Sequence, residues 1–177
     1  MTDARRIEIT KRWIEQIVVA HHFCPFAQKE ILADSIRYVC ADHSVVLDLL
    51  IAECNHLDSD SKTETTLLII KGTVDFSYFL YMVEIAQQLL KLKGYEGIYQ
   101  LATFHPDYCF EGNDENDASN YTNRSPFPML HILRESSIDR VVNNKQAVEM
   151  IPDNNMKKCN ELGRDYFKRL LIHLLNE

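Results

Sequence analysis

No apolar run in this chain approaches the roughly 18 residues that a membrane span requires, so no membrane partner is expected. Basic charge is also short. The 19 Lys and Arg stand against 26 Asp and Glu, a formal charge of −7. A non-specific nucleic-acid binder needs a basic face against the phosphates, so no nucleic-acid partner is expected either. Glycine is scarce, at five residues, and neither a glycine-rich phosphate loop nor a dinucleotide fingerprint is present. No cofactor is expected. The opening MTDARRIEITKRWIEQIVVA carries early charges and no continuous apolar core, unlike a secretory leader. Five cysteines make an odd number without framework spacing, which reads as free thiols in a reducing cytoplasm. In such a compartment the glycosylation patterns at Asn120-Tyr-Thr122 and Asn123-Arg-Ser125 carry no meaning.

What is present describes one domain spanning residues 1–177, long enough to bury a core. A helix is expected from about Asp3 to His22, with Ile14, Ile17 and Val18 on one face and Pro25 ending it. SIRYVCA, Ser35–Ala41, reads as a strand. Ser44 is placed to cap a helix carrying Val45, Val46, Leu49 and Leu50. TTLLIIK, Thr65–Lys71, is a short unbroken apolar run, the pattern of a strand covered on both faces. Asp75 starts and Gly94 stops the clearest helix, and GIYQLATF, Gly97–Phe104, makes a third strand. Three helices are then expected, at Pro126–Glu135, Ile138–Asn144 and Asp153–Leu175, after a long loop from His105 to Ser125. Strands alternating with helices favour an α/β fold. The sheet should be small, mainly parallel and three-stranded, covered by helices, with a helical C-terminal part. A mixed four-stranded version would use Tyr108–Glu111 as its extra strand.

In such a sheet ligands gather beyond the carboxyl ends of the strands. His105 stands there, immediately after the third strand, with Pro106 fixing the chain behind it. It is the candidate general acid or base. The loop it opens runs about 20 residues, longer than an ordinary connection. At the loop's far end Asn120, Thr122, Asn123, Arg124 and Ser125 precede Pro126. A Ser-Pro start would present free N–H groups and a positive dipole end, with Arg124 adding a planar fork of donors. That set suits a carboxylate or phosphate, and His131 and Arg134 share the expected helix face. The plainer reading is an Asx-rich turn with Arg124 pairing the acidic loop. Cys24, in HHFCPFA, lies just past a helix among basic neighbours, and with His105 nearby it would form a thiol nucleophile and its base. A zinc set of His21, Cys24, His105 and Cys109 can be drawn but matches no standard spacing well. The cluster Glu111, Asp114, Glu115 and Asp117 lacks the glycine and last glutamate of a calcium loop. No metal is expected.

The segments CPFA, TTLLI, FHPDYCF, NYTNRSPFPMLHILRE and a late IPDNN…LG occur in that order. Together they resemble an uncharacterised bacterial family, domain of unknown function fourteen-fifteen, over about Trp13 to Gly163. The family pattern falls on Cys24, Pro25, Phe26, His105, Pro106, Tyr108, Phe110, Asn120, Thr122, Asn123, Arg124, Ser125, Pro126, Pro128, His131, Arg134 and Glu135. His21 and Cys109 lie outside it, which counts against zinc. The resemblance implies no activity, but it puts Cys24, His105 and Arg124 on shared motifs. The leading expectation is a small cytoplasmic protein that binds or acts on an anionic small molecule at a Cys/His/Asn-Arg site. The alternative is a non-catalytic protein-interaction module with a structural Asn-Arg turn. Oligomeric state is not legible.

Overall fold

The computed structural model describes residues 1–137 and 150–176. Its centre is β2, Thr65–Lys71, buried at every residue but the last. β1, Ile36–Asp42, pairs with it in parallel, Tyr38 opposite Leu67 and Cys40 opposite Ile69. β3, Tyr99–Phe104, lies two places away, and β4, Met129–Arg134, fills the gap between them. β4 runs antiparallel to both neighbours, with His131 opposite Leu67 on one side and Ala102 on the other. The sheet is therefore four-stranded and mixed, in the order β1-β2-β4-β3.

This corrects the expected helix at Pro126–Glu135. Met129, Leu130 and Ile132 are fully buried, because a central strand packs on both faces and loses the alternation that marks a half-exposed one. Leu and Met favour helices, but Pro126 and Pro128 leave only six residues before the strand ends, too few for an independent helix. The extra strand is thus β4 and not Tyr108–Glu111. The expected helix at Ile138–Asn144 lies outside the described residues.

The first helix, α1, spans Asp3–Trp13, with Thr2 Oγ1 accepting the Arg5 N–H at 3.3 Å. It runs on as a π-helical segment, Ile14–Val19, and turns at His21–Phe23, ahead of Pro25. His22 takes φ 58° there. A short α2, Ala27–Leu32, follows. Ser44 does not cap the next helix. α3, Val46–Ser59, starts behind Val45 without a side-chain cap. α4, Phe76–Leu92, is capped as its sequence suggests, Asp75 Oδ1 accepting the Ser77 N–H at 2.9 Å. The expected last helix is two: α5, Ile151–Leu162, and α6, Arg164–Asn176. Gly163 breaks them at φ 82°, where a side chain would be strained.

The helices form a layer on each side of the sheet. Leu68, Ile70, Leu130 and Ile132 meet α3 and α4 through Leu50, Cys54, Phe79, Met82 and Ala86. Leu67, Ile69 and Met129 point the other way, against Trp13, Ile14, Ile17, Phe23, Cys159 and Phe167. Because the strand period is two, each neighbour along β4 belongs to the opposite layer. Among the described residues, no helix is long and apolar enough to cross a membrane.

Candidate functional site

β4 must enter the sheet against the direction of β3, so residues 105–128 have to reverse the chain. The Asn-Arg run is built into that reversal. The His105 N–H donates to Asn123 O at 3.2 Å and the Ser125 N–H to His105 O at 3.4 Å, closing the two limbs together. Asn123 Nδ2 donates to Thr103 O at 2.9 Å, tying the turn to β3. Thr122 Oγ1 donates to Ser119 O at 3.0 Å, and Ser125 Oγ to Phe127 O at 2.6 Å.

Asn120 is fully buried. Its Oδ1 accepts the Phe110 N–H at 3.1 Å and its Nδ2 donates to Asp114 O at 2.9 Å. One side chain thus replaces the missing backbone ladder across the acidic loop. Arg124 Nε donates to Tyr108 O at 3.0 Å and its Nη2 to Glu115 O at 2.8 Å, with the guanidinium 4.8 Å over the Tyr121 ring. A carboxylate joins in: Asp117 Oδ1 accepts the Ser119 hydroxyl at 2.7 Å and the Ser119 N–H at 2.8 Å, which together hold its carboxyl below the usual range. Ser125 does not head a helix, so the dipole expected there is not supplied.

His105 is buried on the α4 side, its ring 5.1 Å from both Phe76 and Phe79. A backbone N–H can only donate, so the 3.0 Å contact from Asp107 N makes Nδ1 an acceptor. Nε2 then carries the proton and donates to Val74 O at 2.9 Å. Burial lowers its pKa, outweighing the opposing bond to Val74. Both nitrogens are committed. Cys24 packs against the cluster on the other side of the sheet, and burial pushes its thiol up. The structure does not bring Cys24 and His105 together. Nor does it assemble the zinc set: His21 Nδ1 meets Ile17 O at 2.8 Å and its Nε2 meets Tyr166 OH at 3.0 Å. Among the described residues, no group of three His, Cys, Asp or Glu could hold a metal ion.

Arg134 points to the α3 side. It donates to Leu57 O, to Thr63 O at 3.3 Å and to the Tyr99 hydroxyl at 3.2 Å. His131 points the opposite way, so the helix face they were expected to share does not exist. Thr65 Oγ1 lies 2.5 Å from Ile132 O, and only the hydroxyl proton can sit between two oxygens so close. The same hydroxyl therefore accepts from His131 Nε2–H at 2.7 Å. His131 is neutral, its pKa pushed down to about 4 by burial, and among the described residues the hydrogen bond to its ring is made at Nε2. The pairing of Thr65 with His131 was not legible, because nothing in the sequence pairs β2 with β4.

A four-stranded mixed α/β domain with a long, side-chain-stapled reversal into a central antiparallel strand is the class this architecture defines. The chain belongs to the family described as "Protein of unknown function (DUF1415)", whose model matches residues 5–169. No curated protein and no solved structure matches the chain.

Proposed function

We propose that this protein is a non-catalytic interaction module whose Asn120–Ser125 run is architecture and not an anion site. The observation that carries this reading is the fate of the donors. Asn120, Thr122, Asn123, Arg124 and Ser125 all deliver hydrogen bonds to acceptors of the same reversal or of β3. An anion would have to displace bonds already made and to approach a loop rich in carboxylates. The clamped His105 and the raised Cys24 thiol likewise supply neither a base nor a ready thiolate. Contact surface of interface composition is supplied by α4, where Tyr78, Leu80 and Tyr81 are exposed. A cytoplasmic location is part of the proposal, supported by five free cysteines.

The test is thermal unfolding of wild type and Arg124→Ala with increasing inorganic phosphate and citrate. Arg124→Ala should cost about 1–2 kcal/mol, because one of its two bonds is only part-buried and the other is exposed, or very roughly 2–8 °C for a chain of this size. Neither anion should raise the wild-type Tm in a saturable way. A saturable rise in wild type that disappears in Arg124→Ala would restore the anion site.

A further inference from the structure

A cavity of about 220 Å³ lies where α1 and its π-helical continuation, α2 and β1 come together. Its half-buried lining is Tyr38, Ile36, Ile31 and Glu30, and its exposed lining is Lys11, Glu15 and Asp34. Lys11 belongs to the last turn of α1 and Glu15 to the π-helical segment, so the change of helical pitch falls inside one wall. Such segments recur at functional sites. The Lys11 ammonium rests 5.1 Å from the centroid of the Tyr38 ring, so an aromatic face in this cavity already receives a cation. Among the described residues, Lys11, Glu15 and Asp34 make no ion pair. Glu30 is held: Ser35 Oγ donates to its Oε2 at 2.6 Å, and Lys29 Nζ lies 3.4 Å from its Oε1. Burial, then the charges of Glu15 and Asp34, push the Tyr38 phenol up to about 12.

We propose that this cavity binds a small organic cation with an apolar tail, an alkylguanidinium in the simplest case, whose charge takes the place on the Tyr38 ring that the Lys11 ammonium holds. Acidity alone would not select a ligand; the combination of groups does. A flat guanidinium can lie on an aromatic ring and offer its edge N–H groups to a carboxylate at the same time, which a compact ammonium cannot. Glu15 and Asp34 are the carboxylates without an ion pair, and Ile31 and Ile36 suit the tail. Lys11 is exposed on a flexible stem, so its ammonium moves out to water at little cost. An anion would be repelled by three carboxylates, and a neutral ligand would gain nothing from their charge. A cavity of roughly 150 Å³ holds a benzene ring, so about eight non-hydrogen atoms fit in this one.

Nothing here rests on Arg124 or on the exposed residues of α4, and failure would leave both readings untouched. The full chain labelled with 15N is titrated at physiological salt with butylguanidinium and with butylurea, a neutral molecule of nearly the same shape. Butylguanidinium should move the amide resonances of Ile31, Asp34, Ile36 and Tyr38 saturably, and butylurea should bind at least about tenfold more weakly. Lys11→Ala removes the competing ammonium and a repelling charge, so it should tighten butylguanidinium about three- to tenfold. Tyr38→Leu should weaken it by about the same factor, whereas Tyr38→Phe keeps the ring and should bind as wild type does. Absence of a saturable shift at these residues overturns the proposal, as does equal affinity for the two probes. So does an affinity left unchanged or weakened by Lys11→Ala, or left unchanged by Tyr38→Leu. Lys11 is exposed, so the wild-type and Lys11→Ala titrations decide the matter even if Tyr38→Leu does not fold.

Discussion

His105 and His131 are both neutral histidines lying against the same sheet, yet they are finished differently. His105 has a backbone donor on one nitrogen and a backbone acceptor on the other, and packs against two phenylalanines. His131 has one nitrogen held by a hydroxyl, and among the described residues no protein group bonds the other. The first stands where the chain leaves β3 and must be turned, so its bonding capacity is absorbed by the turn. The second stands in the middle of β4, where ladder bonds already satisfy the backbone and none is left over for the ring. In this fold, position along the chain reversal separates a structural histidine from one with chemistry to spare.

The contrast should be largest in stability. His105→Ala removes a buried ring and strands the Val74 carbonyl and the Asp107 N–H. The expected cost is roughly 3–4 kcal/mol, combining a cavity with unsatisfied backbone groups. His131→Phe, which puts a somewhat larger ring at a partly exposed position and strands only hydroxyl lone pairs, should cost no more than about 1.5 kcal/mol. Urea midpoints of the two variants make the comparison, and equal losses would erase the distinction between the closed and the open histidine.

Acid should act through both rings in one direction. Burial lowers the pKa of each, His131 to about 4, whereas the unfolded chain takes up protons near the ordinary ~6.5. The unfolded state therefore binds more protons as pH falls, and stability is lost on acidification. The contribution is complete above about pH 6.5 and fades towards 4. His131 alone should account for roughly 2–3 kcal/mol by pH 4.5, since one unit is worth about 1.36 kcal/mol. Asp60, Asp75 and Asp117 have lowered pKa values, so their stabilisation is lost only below the usual carboxylate range, in a separate window. Urea unfolding of wild type and His131→Phe at pH 7 and 4.5 reads the difference. An acid loss as large in the variant as in wild type would assign the effect elsewhere.

The sequence made parts of this legible for physical reasons. TTLLIIK announced a strand buried on both faces, and β2 matches it residue for residue. Asp75 and Gly94 marked α4 because caps act locally, through their own backbone neighbours. β4 was hidden by the burial that defines it. PMLHILR reads as helical in propensity, and only its insertion between β2 and β3 makes it a strand. With β4 misread, Ser125 acquired a dipole it does not have, and His131 and Arg134 acquired a common face. The reversal's donors stand together in the chain, and spacing alone reports that much. What they serve depends on where Tyr108 O, Thr103 O and Asp114 O fall, which no pattern of spacing reports.

The smallest effect expected is also the most specific. Thr65→Val keeps the shape of the side chain and removes both the acceptor of His131 Nε2–H and the donor to Ile132 O. Two modest bonds are lost in a buried place, but the Ile132 carbonyl remains in a strand that pairs on both edges, so a cost of about 1 kcal/mol is expected. The ring should respond more than the stability does. Without the hydroxyl nothing selects Nε2–H over Nδ1–H, and the two neutral tautomers should interconvert, visible as averaged 15N shifts at His131. His105 is bound to backbone at both nitrogens and should keep its single tautomer in the same sample, which makes it the internal control. If His131 in Thr65→Val still shows one fixed Nε2–H form, the hydroxyl is not what orients the ring. The lone pair at Nδ1 would then be set by some other contact, and His131 would join His105 as a closed structural histidine.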